Sequence, residues 1–176
     1  MKRTILNRGR NVKTLATKAV MAVGLLLAAT TMGGCSYIAD YMNQNNAQRD
    51  EETEEITEEG NLDVFAVKVG DCVNDSSLVS GSETAELSEV GAVPCADKHD
   101  LEIFHEFSLA EGDFPDDDTI LSAAGDECLP AFEEFIGVTY EESTLELSYL
   151  SPSQESWDQR GDRLVQCYVY DPAGKV

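Results

Sequence analysis

Apolar and polar positions divide the chain into three stretches of different character. Ala19 to Met32 reads AVMAVGLLLAATTM, a predominantly apolar run of 14 residues, whereas a helix needs about 20 to cross a bilayer core. Ser36 to Asn61 is polar and then densely acidic, with too few apolar positions to bury a core. From Leu62 onward, alternating segments are interrupted by helical spacing, and this last stretch alone has the pattern of a folded domain.

Within it, Asp63 to Val69 places Phe65, Val67 and Val69 on one face by period two, predicting a first strand that Gly70-Asp71 turns into Cys72. Glu89 to Cys95 is a shorter strand closed by Pro94, and Leu101 to Leu109 alternates with Leu101, Ile103, His105, Phe107 and Leu109 on one side. From Asp117 the period changes. Ile120, Leu121, Ala124, Cys128, Phe132 and Phe135 recur at spacings of three and four, predicting one helix or two joined near Gly125 and Pro130, with Asp116 to Asp118 at the N-terminus. Thr144 to Leu150 alternates again. Ser151-Pro152-Ser153-Gln154 then reads as a capping box with proline at the first helical position, opening a short helix through Trp157 that ends at Gly161. Arg163 to Tyr170 returns to alternation, with Val165, Cys167 and Val169 opposite Leu164, Tyr168 and Tyr170. Strands and helices in this mixed order predict an α+β domain, a largely antiparallel sheet with two or three short helices.

The N-terminus sets the address. Lys2, Arg3, Arg8, Arg10, Lys13 and Lys18 precede the apolar run with no acidic residue among them, the order of a secretory signal rather than a permanent span. Met32-Gly33-Gly34-Cys35 follows directly and resembles the bacterial lipobox, with Met32 in place of the usual leucine. That resemblance implies a signal peptide over residues 1–34, cleavage before Cys35, and diacylglycerol on the Cys35 thiol. Residues 35–61 are then a lipidated, acidic, flexible tether, and residues 62–176 form the single domain. The expected location is the extracytoplasmic face of the cell membrane.

Charge sharpens this picture. Six of the twelve Lys and Arg lie before Cys35, which leaves six against 34 Asp and Glu, a net charge of −28 after cleavage. Six scattered bases cannot neutralise a phosphate backbone, so nucleic-acid binding is excluded. Anionic headgroups repel such a chain, and the expected membrane contact is the lipid on Cys35 alone.

Without Cys35 the cysteines number four: Cys72, Cys95, Cys128 and Cys167. In an exported chain they are expected to form two disulfides, with three connectivities open. No C-x-x-C is present, so a zinc site built on Cys95-x-x-x-His99 is not expected, and neither a metal nor a cofactor is. Val69-Gly70-Asp71-Cys72, Val93-Pro94-Cys95-x-x-x-His99-x-x-Glu102, Cys128, Pro152 and Trp157-x-x-x-Gly161-Asp162-Arg163-x-x-x-Cys167 together resemble the septum-formation domain family of actinobacterial envelope proteins. Lys98 stands where that family pattern has proline. The resemblance implies an extracytoplasmic α+β domain with a role in cell division or envelope maintenance.

Candidate chemistry is sparse. His99 and His105 are the only imidazoles, and neither sits in H-E-x-x-H or near a G-x-S-x-G elbow, so no catalytic triad is supported. His105 falls on the apolar face of its strand and is expected half-buried with one nitrogen satisfied. His99 and Glu102 flank Cys95 and match the family pattern; with Arg163 as charge partner they are predicted to form a structural polar cluster. Asp113, Asp116, Asp117 and Asp118 lack the spacing of a calcium loop and suit helix capping. Adjacent carboxylates such as Glu133 and Glu134, or Glu141 and Glu142, diverge and make poor glycosidase pairs. Trp157 with Tyr149, Tyr168 and Tyr170 offers a candidate binding face, but core packing is expected for Trp157, whose helical position turns toward the sheet. The expected function is therefore that of a non-catalytic, membrane-anchored module binding an envelope or division protein. The alternative is a small enzyme or ligand carrier acting on cell-wall material, with a cleft flanked by His99, Glu102 or tyrosines.

Overall fold

The structure, a computed structural model, describes residues 46–80 and 87–176. The predicted signal peptide, the predicted lipidation site Cys35 and the first part of the predicted tether lie outside the described residues.

The sheet has six strands in the order β3-β5-β4-β6-β8-β7, every neighbouring pair antiparallel. Their ranges are β3 Gly60–Asp63, β4 Cys72–Asn74, β5 Glu89–Val93, β6 Leu101–Ser108, β7 Glu146–Leu150 and β8 Leu164–Tyr170. A separate two-stranded ribbon joins β1 (Gln48–Arg49) to β2 (Ile56–Glu58). Three α-helices are described: α1 (Ser76–Val79), α2 (Asp117–Ile136) and α3 (Gln154–Arg160). This is the predicted α+β class.

The tether expectation is corrected for residues 46–61. Ile56 is 7% exposed, β3 pairs in register with β5, and Asn46 bridges Asn61. Gly60 permits this closure, because a Cβ there would sit 2.4 Å from the Ala47 nitrogen. Two ion pairs fasten this stretch to the domain, Arg49 with Asp71 and Glu54 with Lys68.

The predicted first strand is displaced. Asp63 accepts a hydrogen bond from the Phe65 amide and caps a 3₁₀ turn over Val64–Ala66, an aspartate side chain outcompeting the ladder for local backbone donors. Of the three residues placed on one face, Val67 alone is buried; Phe65 and Val69 are exposed.

Two cores flank the sheet. One holds Val67, Val73, Val90, Leu101, Ile103 and Tyr168. The other packs α2 through Ala124, Cys128 and Phe132 against Phe104, Cys167 and Val169. A bulge in β6 shifts the register between Ile103 and His105, so that Ile103 faces Tyr168 and His105 faces Cys167. The single face predicted for Leu101 through Leu109 is thus split: Leu101 and Ile103 enter the first core, whereas Phe104 and Phe107 belong to the second. An extra residue in one strand is what flips the alternation.

α2 is one uninterrupted helix of 20 residues with Pro130 inside it, capped at its start by the Asp116 side chain bonding the Thr119 amide. Its buried residues are Ile120, Ala124, Cys128 and Phe132; Leu121 is exposed, and Phe135, partly exposed, stacks its ring on Phe104 at 5.5 Å. Proline forfeits one hydrogen bond and strains the preceding turn. It is tolerated here on an exposed position, between stripe residues tied to the sheet. α3 starts later than predicted. Its cap is Ser153, reciprocally bonded with Ser156, and Pro152 precedes the cap; Gly161 ends the helix in the left-handed conformation as expected.

The last turn of α2 leads into a 3₁₀ turn at Tyr140–Glu142, whose Tyr140 hydroxyl donates to Glu146. That bond, aided by burial, pushes the phenol up to about 12. A folded-state value raised above the ordinary ~10 means stability fully present below pH ~10 and lost as pH climbs toward ~12. Tyr140→Phe removes it: in urea titrations the gap between wild type and variant is expected constant from pH 7 to 9 and shrinking by pH 11. A pH-independent gap refutes the role of the bond.

Candidate functional site

Two disulfides form, Cys72–Cys95 and Cys128–Cys167. The first ties the start of β4 to the turn after β5; the second ties the middle of α2 to β8.

Around the first lies the predicted polar pair. Cys72 and Glu102 are register partners across β4 and β6. His99 is 6% exposed and is covered by the C-terminal residue, with reciprocal backbone bonds to Val176 at 3.2 and 3.1 Å. Ligating atoms of Cys72, His99 and Glu102 lie within 4.8 Å of one another. Burial pushes the Glu102 carboxyl up, and His99 opposes part of that shift. Arg163 does not join them, which corrects the predicted three-residue cluster. Its guanidinium stacks 3.5 Å above the Trp157 ring and pairs with Glu111 at 3.2 Å. Trp157 in turn donates to the Gly112 carbonyl at 3.1 Å and is core, as predicted. Arg163 is thus a clamp on α3 and its neighbouring loop. His105 has its Nε2 buried without a partner and its ring beside Phe107.

A cleft of about 980 Å³ opens elsewhere, where the first core meets the β7 edge. Tyr168, Gln166 and Ser148 lie on its sheet side; Phe65, Leu78, Leu87, Phe114 and Leu150 give it apolar surface, and Asp117 and Asp162 bring charge. Its polar groups are largely committed. The Tyr168 hydroxyl donates to the Leu78 carbonyl at 2.9 Å, Gln166 donates to the Val67 carbonyl at 2.8 Å, and Asp162 accepts from Ser156 at 2.9 Å. Burial pushes the phenols of Tyr149 and Tyr168 up, and both rings line the cleft. Phe65 is 48% exposed, with the Arg160 guanidinium 4.3 Å above its ring. Neither histidine nor Glu102 lines the cleft. Of the candidate binding face, Tyr149 and Tyr168 line the cleft and Trp157 and Tyr170 do not; alternation hides Phe65 as a wall residue by assigning it to a strand.

The buried Arg49–Asp71 pair was also missed. Its signal is an aspartate between a turn glycine and a core cysteine, Gly70-Asp71-Cys72.

An antiparallel sheet carrying one long helix, two disulfides and an aromatic cleft defines a small stapled α+β module. A model of the family described as "Septum formation" matches residues 36–175, and the chain belongs to that family. Membership connects it with cell division. No curated protein and no solved structure matches the chain.

Proposed function

We propose that this chain is a lipid-anchored, extracytoplasmic and non-catalytic module that binds a division or envelope protein through the cleft beside β7. The observation that carries this reading is the cleft's lining: aromatic and aliphatic walls with acids at the edge, and no imidazole among them. Charge complementarity defines the partner. Four of the six bases outside the signal, Arg49, Lys68, Arg163 and Lys175, are already in ion pairs, so the surface of a chain at −28 favours a segment carrying apolar anchors and flanking Lys or Arg. Lipid on Cys35 holds the domain at the membrane, since such charge offers no attraction to headgroups.

The reading is tested in dividing cells with a photo-crosslinking phenylalanine analogue at position 65, on the wall of the cleft, and at position 129, on the outer side of α2. One division or envelope protein is expected from position 65 and not from 129; equal or absent adducts overturn it. Cys35→Ala is expected to move the domain from the membrane to the soluble fraction with both disulfides intact. A cleaved Cys35→Ala chain retained on washed membranes shows that lipid is not the only anchor.

The tyrosines of the cleft favour a second reading, a carrier of cell-wall material. Pockets of roughly 300–1,000 Å³ suit small ligands. Saturable binding of purified wall fragments, abolished by Tyr149→Ala, selects it over the first.

A further inference from the structure

The two disulfides differ in surroundings. Cys128 and Cys167 are both fully buried among apolar side chains. In the other, Cys72 is fully buried but Cys95 is exposed, and the buried sulfur has His99 and Glu102 as neighbours.

The orientation of His99 is specific. Its Nδ1 lies 2.9 Å from the Asp97 carbonyl. A carbonyl only accepts, so Nδ1 donates to it, and Nε2 is the nitrogen left to take a ligand in place of a proton. That Nε2 is buried and has no partner, in a residue 6% exposed. A backbone carbonyl fixing the outer nitrogen while the inner one stays free is the arrangement that prepares an imidazole to ligate a metal. Without a ligand, such a buried and unsatisfied nitrogen is a cost to the fold.

We propose that this is a redox-gated zinc site: opening of the Cys72–Cys95 disulfide by a dithiol releases a Cys72 thiolate that binds Zn²⁺ together with His99 Nε2 and a Glu102 carboxylate oxygen. In the first step a thiolate of the dithiol attacks the exposed Cys95 sulfur, the S–S bond breaks, and Cys72 leaves with the electron pair. The second thiol of the reductant then resolves the mixed disulfide and frees Cys95. The reductant has lost two electrons to the protein pair. Of its two protons, one remains on the Cys95 thiol and the other is released to solvent, because the Cys72 thiolate is held by the metal.

The geometry needs little movement. With Zn–S near 2.3 Å and Zn–N near 2.0–2.1 Å, tetrahedral ligand atoms stand about 3.5 Å apart. The three sets lie within 4.8 Å, so closure by roughly 1 Å completes the site, and water fills the fourth position. One sulfur, one imidazole and one carboxylate suit zinc better than calcium or magnesium.

The test uses the full chain in detergent, with zinc affinity read by competition against a chromophoric chelator. Graded reduction is expected to open Cys72–Cys95 before Cys128–Cys167, and tight uptake of one Zn²⁺ per chain is expected at that step. Cobalt in place of zinc is expected to show a thiolate charge-transfer band. His99→Gln and Glu102→Gln are each expected to weaken binding by at least roughly tenfold, the loss that even outer partners of a metal site cause. In the wild-type chain zinc is expected to protect Cys72 from alkylation, a readout independent of how the variants fold. Equal zinc binding by the oxidised chain, binding insensitive to both substitutions, or a Cys72 alkylated equally with and without zinc overturns the proposal.

Discussion

Replacing Cys128 and Cys167 together by alanine is expected to lower the unfolding free energy by about 4 kcal/mol. The pair closes a loop with a sequence separation of 39, and the chain-entropy relation assigns about 4 kcal/mol to a loop of that length. The bond also joins the middle of α2 to β8, the strand that both β6 and β7 pair with, so its loss lets helix and sheet separate in the unfolded ensemble. Both sulfurs are fully buried, and truncation leaves space that the second core must fill. Against an ordinary stability of about 5–15 kcal/mol this removes a quarter or more of the total. The single tryptophan of the chain, Trp157, is 3% exposed and reports unfolding in urea titrations. The same change at Cys72 and Cys95, separated by 23, is expected to cost slightly less, about 3.4 kcal/mol. A loss under 1 kcal/mol at Cys128 and Cys167 refutes the account.

The parts of the fold legible in the sequence are those where one physical signal acts unopposed. β5, β7 and β8 fall where alternation puts them, and Gly161 ends its helix where no other residue accommodates a left-handed backbone as readily. Where two local signals compete, the reading slips. Period two assigns Phe65 and Val69 to a strand, but Asp63 draws the backbone into a turn first. Alternation also runs through β6 without showing the bulge that turns His105 away from Ile103. Ser151 and Ser153 both qualify as caps, and the reciprocal Ser156 bond decides for the second.

Legibility of the site follows the same division. His99 and Glu102 were found by spacing from Cys95, and the structure brings them together with Cys72, because strand register makes Cys72 and Glu102 neighbours. Arg163 was joined to them on charge alone, whereas the face of Trp157, six residues back, was the nearer attraction. The cleft draws on segments from Val64 to Tyr168, and no local pattern encodes a cavity assembled from so many turns.

Arg49→Ala is expected to destabilise the domain by about 2–4 kcal/mol, the cost of leaving a buried carboxylate unpaired. Both guanidinium nitrogens meet Asp71 at 2.8 Å, and Asp71 is 2% exposed. Once Arg49 is gone, the charge keeps the Lys68 amide at 2.8 Å as its donor. A residue in a flexible acidic tether would tolerate the change within about 0.5 kcal/mol, so the same urea titration decides whether residues 46–61 belong to the domain. Arg49→Ala with Asp71→Ala is expected to cost less than the sum of the two single changes, because the double variant strands no charge. Additivity would separate the two side chains energetically and return the acidic segment to the role of a spacer. Coupling makes Arg49 the residue through which a stretch of mostly repelling carboxylates is fastened to the turn before β4, with the fold itself supplying the counter-charge.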